Sequence, residues 1–321
     1  MQPLISVIVP IYNVEDCLPL CLDSLCRQSL KNIEFLLVDD ASPDRCSEIC
    51  EQYAMYDPRI KVFHHTKNKG LSAARNTGIQ HALSDYLMFV DSDDWVHDDF
   101  CKDAYECAIN NNADLVMFGY QYIRNPKLLT NQKKYLVNTV PDGPRTHEEA
   151  INLTFTAFGM IACNKLFRKS LFENNLFPDG QIFEDSATIY KLVWKTANVY
   201  CMNKVLYYRY LRPGSITMRK PTREMVRERF KVYWQQCCDL SEWGFHSVQQ
   251  DQFKVYAALT YCIQTPLDFT DPYYSIAANV LRNVIIVPSG FTRRHKYLIK
   301  LFKISPSLFN LICALWNKQV H

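Results

Sequence analysis

A chain of 321 residues, 48% hydrophobic and 21% charged, has room for one large globular domain or two ordinary ones. Its formal charge of +3 is too small to argue for nucleic acid as a partner. The 13 cysteines contain no CxxC pair, so neither a zinc site nor a disulfide framework is indicated; reduced, mostly buried thiols in a reducing cytoplasm are expected.

Met1 is followed by a strand-like run, not by a basic and then an apolar region, so no signal peptide is expected. No stretch reaches the roughly 18 uncharged apolar residues that a membrane span needs. Leu4 to Pro10 reads as a first strand, apolar and β-branched, ended by the proline. A loop over Ile11 to Glu15 follows, and then an apolar face from Leu18 to Cys26 at helical spacing. Ile33 to Val38 is a second strand that ends in Asp39 and Asp40. The pattern continues with a helix over about 44–55, a short strand at Ile60 to Phe63, and a helix from Gly70 to Leu83 opening on a glycine loop. The apolar run Tyr86 to Val90 is the next strand. It stops abruptly at Asp91, Ser92, Asp93 and Asp94, three acids within four residues.

Strands alternating with helices imply a parallel, doubly wound sheet. The polar clusters at Tyr12 to Glu15, Asp39 and Asp40, and Asp91 to Asp94 each follow the carboxyl end of a strand. They should therefore meet along one edge, where open α/β sheets bind ligands. Hard oxygen ligands so closely spaced suit Mg²⁺ or Mn²⁺, which usually hold substrate phosphates as well. The plain alternative is an acidic helix start capped by Asp91 or Ser92. There is no GxGxxG after the first strand and no Walker A sequence, which disfavours dehydrogenase and P-loop chemistry. Tyr12 suits stacking on a flat base, Asp40 a base N–H, and Asp39 a ribose hydroxyl or support of the loop. Arg75, one turn into the helix that opens at Gly70, suits a pyrophosphate beside that helix's free N–H groups.

The series Val9 to Glu15, Val38 to Ser42, Asn68 to Gly78 and Asp91 to Asp94 resembles the family 2 glycosyltransferases of GT-A fold. The likeness extends through Asn164-Lys165-Leu166-Phe167, Phe183-Glu184-Asp185 and Tyr207 to Ile216, about residues 4 to 218. It is closest to bacterial enzymes of capsule, exopolysaccharide and lipopolysaccharide O-antigen synthesis. The resemblance implies transfer of a sugar from a nucleotide donor, usually a UDP-sugar, with inversion at the anomeric carbon. By the same resemblance Pro10, Tyr12 and Glu15 match the base- and ribose-binding loop, Asp40 the uracil contact, and Arg75 the donor-binding arginine. Gly70 and Ser92 fall on the donor side. Asp91 and Asp93 match the DxD pair, with Asp93 the direct ligand of Mn²⁺ or Mg²⁺, and Asp185 matches the catalytic base. Ala41 stands where glycine is common in the family.

The chemistry agrees with this assignment. A metal at Asp93 would stabilise the diphosphate leaving group, with Arg75 adding to it. Inversion in one displacement needs a base on the opposite face, from outside the nucleotide half. Glu184-Asp185 supplies carboxylates there; the plain alternative is a helix N-terminus favoured by the dipole.

The implied fold is a GT-A, mostly parallel, doubly wound sheet with a helical C-terminal extension. Residues 1–118 form the nucleotide-sugar half, 119–220 the acceptor half with the base, and 221–321 the helical region. A helix at Ala104 to Asn112, a strand at Asp114 to Gly119, an irregular excursion over 121–145, a helix at Glu148 to Phe158 and a tyrosine-rich strand at Val199 to Tyr210 are expected. Trp95 and Glu184 are acceptor-side candidates, Trp95 by stacking on a sugar ring or else as a core residue. Arg212 to Thr217 is a candidate loop over the diphosphate, with Arg212 a phosphate contact. Residues 289–321 hold basic residues among apolar and aromatic ones and no acid, which suits a membrane surface; a packed helix pair or a homodimer contact is the alternative. The expectation is a cytoplasmic enzyme, peripheral at the inner face of the membrane, acting on a saccharide or lipid-linked acceptor. The competing reading is a catalytically silent nucleotide-sugar-binding subunit, which would have no need of both Asp93 and Asp185.

Overall fold

The computed structural model describes residues 2–124, 137–212, 215, 218, 220–266, 270–284 and 291–319. The chain divides into two compact units, Met1–Arg219 and Lys220–His321.

The first unit opens as β1 (Ile5–Ile11), α1 (Leu18–Cys26), β2 (Ile33–Asp39), α2 (Cys46–Tyr56), β3 (Ile60–His64), α3 (Leu71–His81) and β4 (Tyr86–Phe89). Every residue of β1, β2 and β4 is buried, as expected of parallel strands covered on both faces. β1 pairs in parallel with β2 on one side and with β4 on the other. The chain winds outward from β1 through β2 to β3, then returns to β4 across β1. The crevice beyond β1 and β4 at that reversal is where open α/β sheets commonly bind ligands. Pro10 does not end β1. Pairing with β4 stops at Ile8, and Pro10, two residues on, turns its nitrogen to that vacated side, where no donor is needed.

The unit continues with β5 (Trp95–Val96), α4 (Phe100–Asn110), β6 (Leu115–Ile123), β7 (Val137–Asn138), β8 (Gly143–Arg145), α5 (His147–Leu153), α6 (Ala157–Met160), β9 (Lys165–Arg168), α7 (Glu184–Lys195) and β10 (Val199–Tyr210). The sheet order is β3-β2-β1-β4-β9-β6-β10-β5. β9 lies antiparallel between β4 and β6, and β10 runs parallel to β6. The helix expected over 104–112 starts earlier, at Phe100, and the strand expected to stop at 119 runs on to Ile123. The helix expected over 148–158 is two. The Thr154 and Thr156 hydroxyls bond back to the carbonyls of Ile151 and Leu153 (both 2.7 Å), in competition with the helix. Much of the 121–145 excursion lies outside the described residues.

The second unit is α8 (Arg223–Glu242), α9 (Val248–Gln264), α10 (Pro272–Asn283), α11 (Arg293–Ile304) and α12 (Pro306–Gln319). Thr222, Ser247, Asp271 and Thr292 cap the first four through their side chains, which satisfies otherwise orphaned N–H groups. Phe230, Ala258, Leu281, Leu298, Phe302 and Phe309 are among its core residues. All 13 cysteines of the chain are free thiols.

Candidate active site

The loops after β1 and β2 are tied to each other. Glu15 N–H donates to Asp44 (2.9 Å), Arg45 N–H donates to the Glu15 carboxylate (2.8 Å), and Asn13 N–H reaches Ser42 Oγ (3.3 Å). Glu15 thus builds the loop, and Tyr12, 46% exposed, is left facing solvent. Ala41 takes φ +56°, the left-handed region that favours glycine. The register Asp39↔His64 brings the two aspartates ending β2 beside two histidines. Asp39 accepts from Ser42 N–H (3.1 Å) and contacts His64 Nδ1 (3.1 Å). Asp40 is buried; Lys69 N–H (2.8 Å), Gly70 N–H (2.7 Å) and His65 Nδ1 (2.6 Å) point at it. His65 Nε2 in turn meets the Thr77 hydroxyl (2.9 Å). Asp40 therefore fixes the turn that opens α3, where Gly70 holds φ +91°. A carboxylate offers about four acceptor positions, and these three contacts take most of them. His65 escaped sequence reading, although its adjacency to Asp40 follows from pairing β2 with β3.

The three acids after β4 have three different jobs. Asp94 accepts from the Tyr207 hydroxyl (2.8 Å) and Tyr210 N–H (2.7 Å), which pins the end of β10. Burial and the charge of Asp93 push its carboxyl well above the usual range. Asp91 accepts from Arg75 Nη2 (2.9 Å), and its own N–H donates to the Tyr207 oxygen (3.0 Å). Burial opposes ionisation of Asp91, but the charges of Arg75 and Arg209 with hydrogen bonds from Cys163 and Arg75 together outweigh it, and the pKa is lowered. Asp93 meets only Arg212 Nε, at 3.5 Å, among the described residues. Burial and Asp91 push its pKa up. Ser92 is buried between them.

Arg75 is not open to a pyrophosphate. It is 1% exposed, and its Nη1 donates to Glu184 (2.8 Å) and Asp185 (2.5 Å) while Nη2 holds Asp91. One guanidinium thus bridges the acids after β4 to the carboxylate pair that starts α7. Burial works against its charge, but Asp185, Asp91 and Glu184 raise its pKa well beyond the ordinary value. Glu184, with burial and Asp185 both acting on it, is pushed up to about 7. Phe183, immediately before the pair, sits at φ +64°, a rare and strained conformation for a bulky residue.

Trp95 is 3% exposed and packs on Tyr208 with ring centroids 6.0 Å apart. It is a core residue rather than an open stacking platform, its ring buried against Tyr208 and Tyr210 of β10. Arg212 faces Asp93; of the loop expected to follow it, Pro213, Gly214, Ile216 and Thr217 lie outside the described residues.

Asp185 is held from its other side by Ala162 N–H, which donates to Oδ2 (3.1 Å). The segment around Ala162 is fastened by Lys165, fully buried, whose Nζ donates to the carbonyls of Ile161 (2.5 Å) and Phe158 (3.3 Å) and to Asn164 Oδ1 (2.7 Å). Asn164 itself donates to the carbonyls of Phe118 and Phe158. Burial pulls the Lys165 pKa down to about 7, with Asp185 partly offsetting it.

Among the described residues no three His, Cys, Asp or Glu side chains are grouped to hold a metal by themselves. The donor set at Asp93 is carboxylate oxygen in an acid-rich surrounding, which fits a hard divalent cation that takes one or two carboxylates and completes its shell with substrate phosphates and water.

A mostly parallel sheet with acids at its reversal point is coupled through one arginine to a carboxylate pair, an arrangement that suits a transferase. Residues 6–176 match the sequence profile of Glycosyl transferase family 2, and the chain belongs to that family of glycosyltransferases. It is 35% identical over 259 residues to the glycosyltransferase EpsJ of Bacillus subtilis (strain 168), covering 80% of this chain and 75% of that one. Among solved structures, S. aureus TarS 1–349 in complex with UDP-GlcNAc superposes with a TM-score of 0.68 at 17% identity, covering 99% of this chain and 92% of that one. The mannosyltransferase PcManGT from Pyrobaculum calidifontis, in complex with GDP-Man and Mn²⁺, gives a TM-score of 0.57 at 15% identity, covering 99% and 87%. The fold is GT-A.

Proposed function

We propose that the protein is a metal-dependent, inverting glycosyltransferase that moves a sugar from a UDP-sugar to a hydroxyl of a saccharide or lipid-linked saccharide in cell-surface polysaccharide synthesis. The observation that carries this reading is the division of labour among the acids. Arg75 joins Asp91 to Glu184 and Asp185, Asp94 is spent on β10, and Asp93 is left with one loose contact. The UDP-GlcNAc complex of TarS and the Mn²⁺ complex of the Pyrobaculum enzyme support a uridine donor and a metal respectively.

Tyr12 stacks on the base and the remaining acceptor position of Asp40 takes a base N–H. Bound at Asp93, Mn²⁺ or Mg²⁺ supplies Lewis-acid stabilisation of the diphosphate leaving group. Each Asp185 oxygen already has one donor, Arg75 or Ala162 N–H, which fixes the carboxylate and leaves it an acceptor position for the proton of the attacking hydroxyl. Glu184, with its pKa pushed up to about 7, carries a proton part of the time at neutral pH and so moderates the charge around Arg75.

The same reading puts the enzyme at the inner face of the cytoplasmic membrane. No helix among the described residues is long and apolar enough to cross one. On α11, Arg293, Tyr297, Lys300 and Ile304 are exposed at spacings of 4, 3 and 4, one stripe of the helix. Leu308, Leu311 and Leu315 are about half exposed on α12. Basic and apolar side chains on faces turned from the core suit an anionic lipid surface.

The test is turnover of a panel of UDP-sugars with Mn²⁺ or Mg²⁺ and lipid-extract acceptors, by wild type, Asp93→Ala and Asp185→Asn. Consumption of one donor is expected, with both variants losing transfer and Asp185→Asn still binding UDP. A wild type that binds UDP but turns over no donor would favour the silent subunit. One that binds no nucleotide would overturn the reading altogether.

A further inference from the structure

If the donor is a nucleoside diphosphate sugar, as proposed above, a cation besides the metal would help to hold its diphosphate, and Arg75 is buried with both Nη nitrogens engaged by carboxylates. We infer that Arg209 is the arginine that binds the donor diphosphate.

Arg209 lies on β10, two residues beyond Tyr207, so the two side chains share one face of the sheet. That face is the one over the acid cluster, because the Tyr207 hydroxyl bonds both Asp94 and Asp91 N–H. In the β6–β10 register Tyr207 lies beside Tyr120 and Arg209 beside Tyr122. The Arg209 guanidinium carbon sits 5.5 Å from the Tyr122 ring centroid and 5.9 Å from that of Tyr120. Two aromatic faces thus support the cation and set its plane. Its contacts are few. Among the described residues it forms no ion pair, and its hydrogen bond is a long one, Nη1 to the Tyr122 hydroxyl at 3.4 Å.

A guanidinium carries five N–H donors, so most of the fork is free. It is nevertheless within electrostatic reach of Asp91, Asp93 and Asp94, each of which feels its charge. The three arginines of the site therefore differ in kind. Arg75 is 1% exposed with both Nη nitrogens held by carboxylates, Arg212 faces Asp93, and Arg209 is a supported fork with open donors within electrostatic reach of the metal-binding acid. A planar fork of that sort matches phosphate oxygens in pairs. A diphosphate sharing a metal with Asp93 would come to rest against it.

The experiment is calorimetric titration of the full chain with UDP and, separately, with uridine, both in Mn²⁺, for wild type, Arg209→Met and Arg209→Lys. Loss of a charged hydrogen-bonding partner should weaken UDP binding by about ten- to hundredfold and leave uridine affinity within about twofold. Arg209→Lys keeps the charge but not the fork, and should recover part of the loss. It also serves should the methionine variant fail to fold, when weakened UDP binding with uridine unchanged carries the same meaning. Equal weakening of UDP and uridine would point to a general structural role and overturn the assignment. Unchanged UDP affinity with a raised KM for acceptor would likewise overturn it, and assign Arg209 to the acceptor. A wild type that binds no UDP would instead defeat the functional reading on which the inference rests.

Discussion

Replacing Arg75 by methionine would remove the one cation that three carboxylates share, in a site where the side chains of Asp91, Glu184 and Asp185 are 26%, 13% and 20% exposed. Removing one partner of a buried ion pair typically costs about 3–5 kcal/mol, because the other charge stays buried and unpaired. Here the carboxylates retain some water, and Glu184 is already partly protonated near neutrality, so the lower end, about 3 kcal/mol, is expected. The cost arises from charge and must therefore depend on pH. At pH 8 all three groups press for neutralisation; at pH 5 proton uptake relieves much of the repulsion. Urea unfolding of wild type and Arg75→Met at both pH values measures this directly. A loss below about 1 kcal/mol at pH 8, or an equal loss at both pH values, would refute the bridging role. The assignment of Arg75 as a diphosphate contact makes the opposite forecast: unchanged stability and a large loss of UDP affinity.

A Cβ on Gly159 would lie 2.1 Å from the Leu153 carbonyl oxygen, so Gly159→Ala must shift backbone near Ala162. A loss of about 1–3 kcal/mol is expected, with transfer falling and UDP affinity kept; an unchanged transfer rate would show that this segment does not position Asp185. The Glu184 pKa, raised from 4.5 to about 7, means that between those values the native state holds a proton the unfolded chain has released. Wild-type stability should thus fall from this source as pH rises from about 4.5 to about 7. Glu184→Gln should lack that fall, and stability curves that stay parallel across the window would contradict it. Exchange of Arg293 and Lys300 for glutamate should abolish sedimentation with phosphatidylglycerol-rich vesicles, each basic residue being worth about 1 kcal/mol near such a surface. Salt should weaken the wild-type binding, and equal sedimentation of wild type and variant would rule out this face.

How much of this was legible in the sequence depended on how local the cause was. The strands ending at Asp39 and before Asp91 were readable because burial on both faces writes a continuous apolar run, and each cluster of acids sits directly after one. The split between α5 and α6 was missed because no proline or glycine breaks the run there, although two threonines three residues from their acceptor carbonyls carried the signal. Arg75 was placed on the right helix, but its carboxylate partners were not foreseen. Its contacts with Glu184 and Asp185 span 109 and 110 residues, a distance over which sequence spacing says nothing. Trp95 looked like a stacking platform because it follows the acids, but its neighbours are Tyr208 and Tyr210 of a strand far along the chain. Lys165 stood in view as part of a recognised motif, and only the fold reveals that its ammonium is buried among carbonyls.

On the proposed reading the reaction has two halves that must be kept in register: a leaving-group side set by the residues after β4 and a base set by the first turn of α7, two elements that are not neighbours in the chain. Arg75, on α3, hydrogen-bonds both, using Nη2 for Asp91 and Nη1 for Glu184 and Asp185. The planar guanidinium holds these two nitrogens rigidly, which an ammonium on a flexible stem does not do. The separation between Asp185 and Asp91 is thereby tied to a covalent group rather than to loop packing. Catalysis by positioning is sensitive to displacements of about 1 Å, so a residue that touches no substrate can still govern the rate. On that reading Arg75 acts by positioning, and phosphate binding falls to a side chain with donors to spare, as inferred for Arg209.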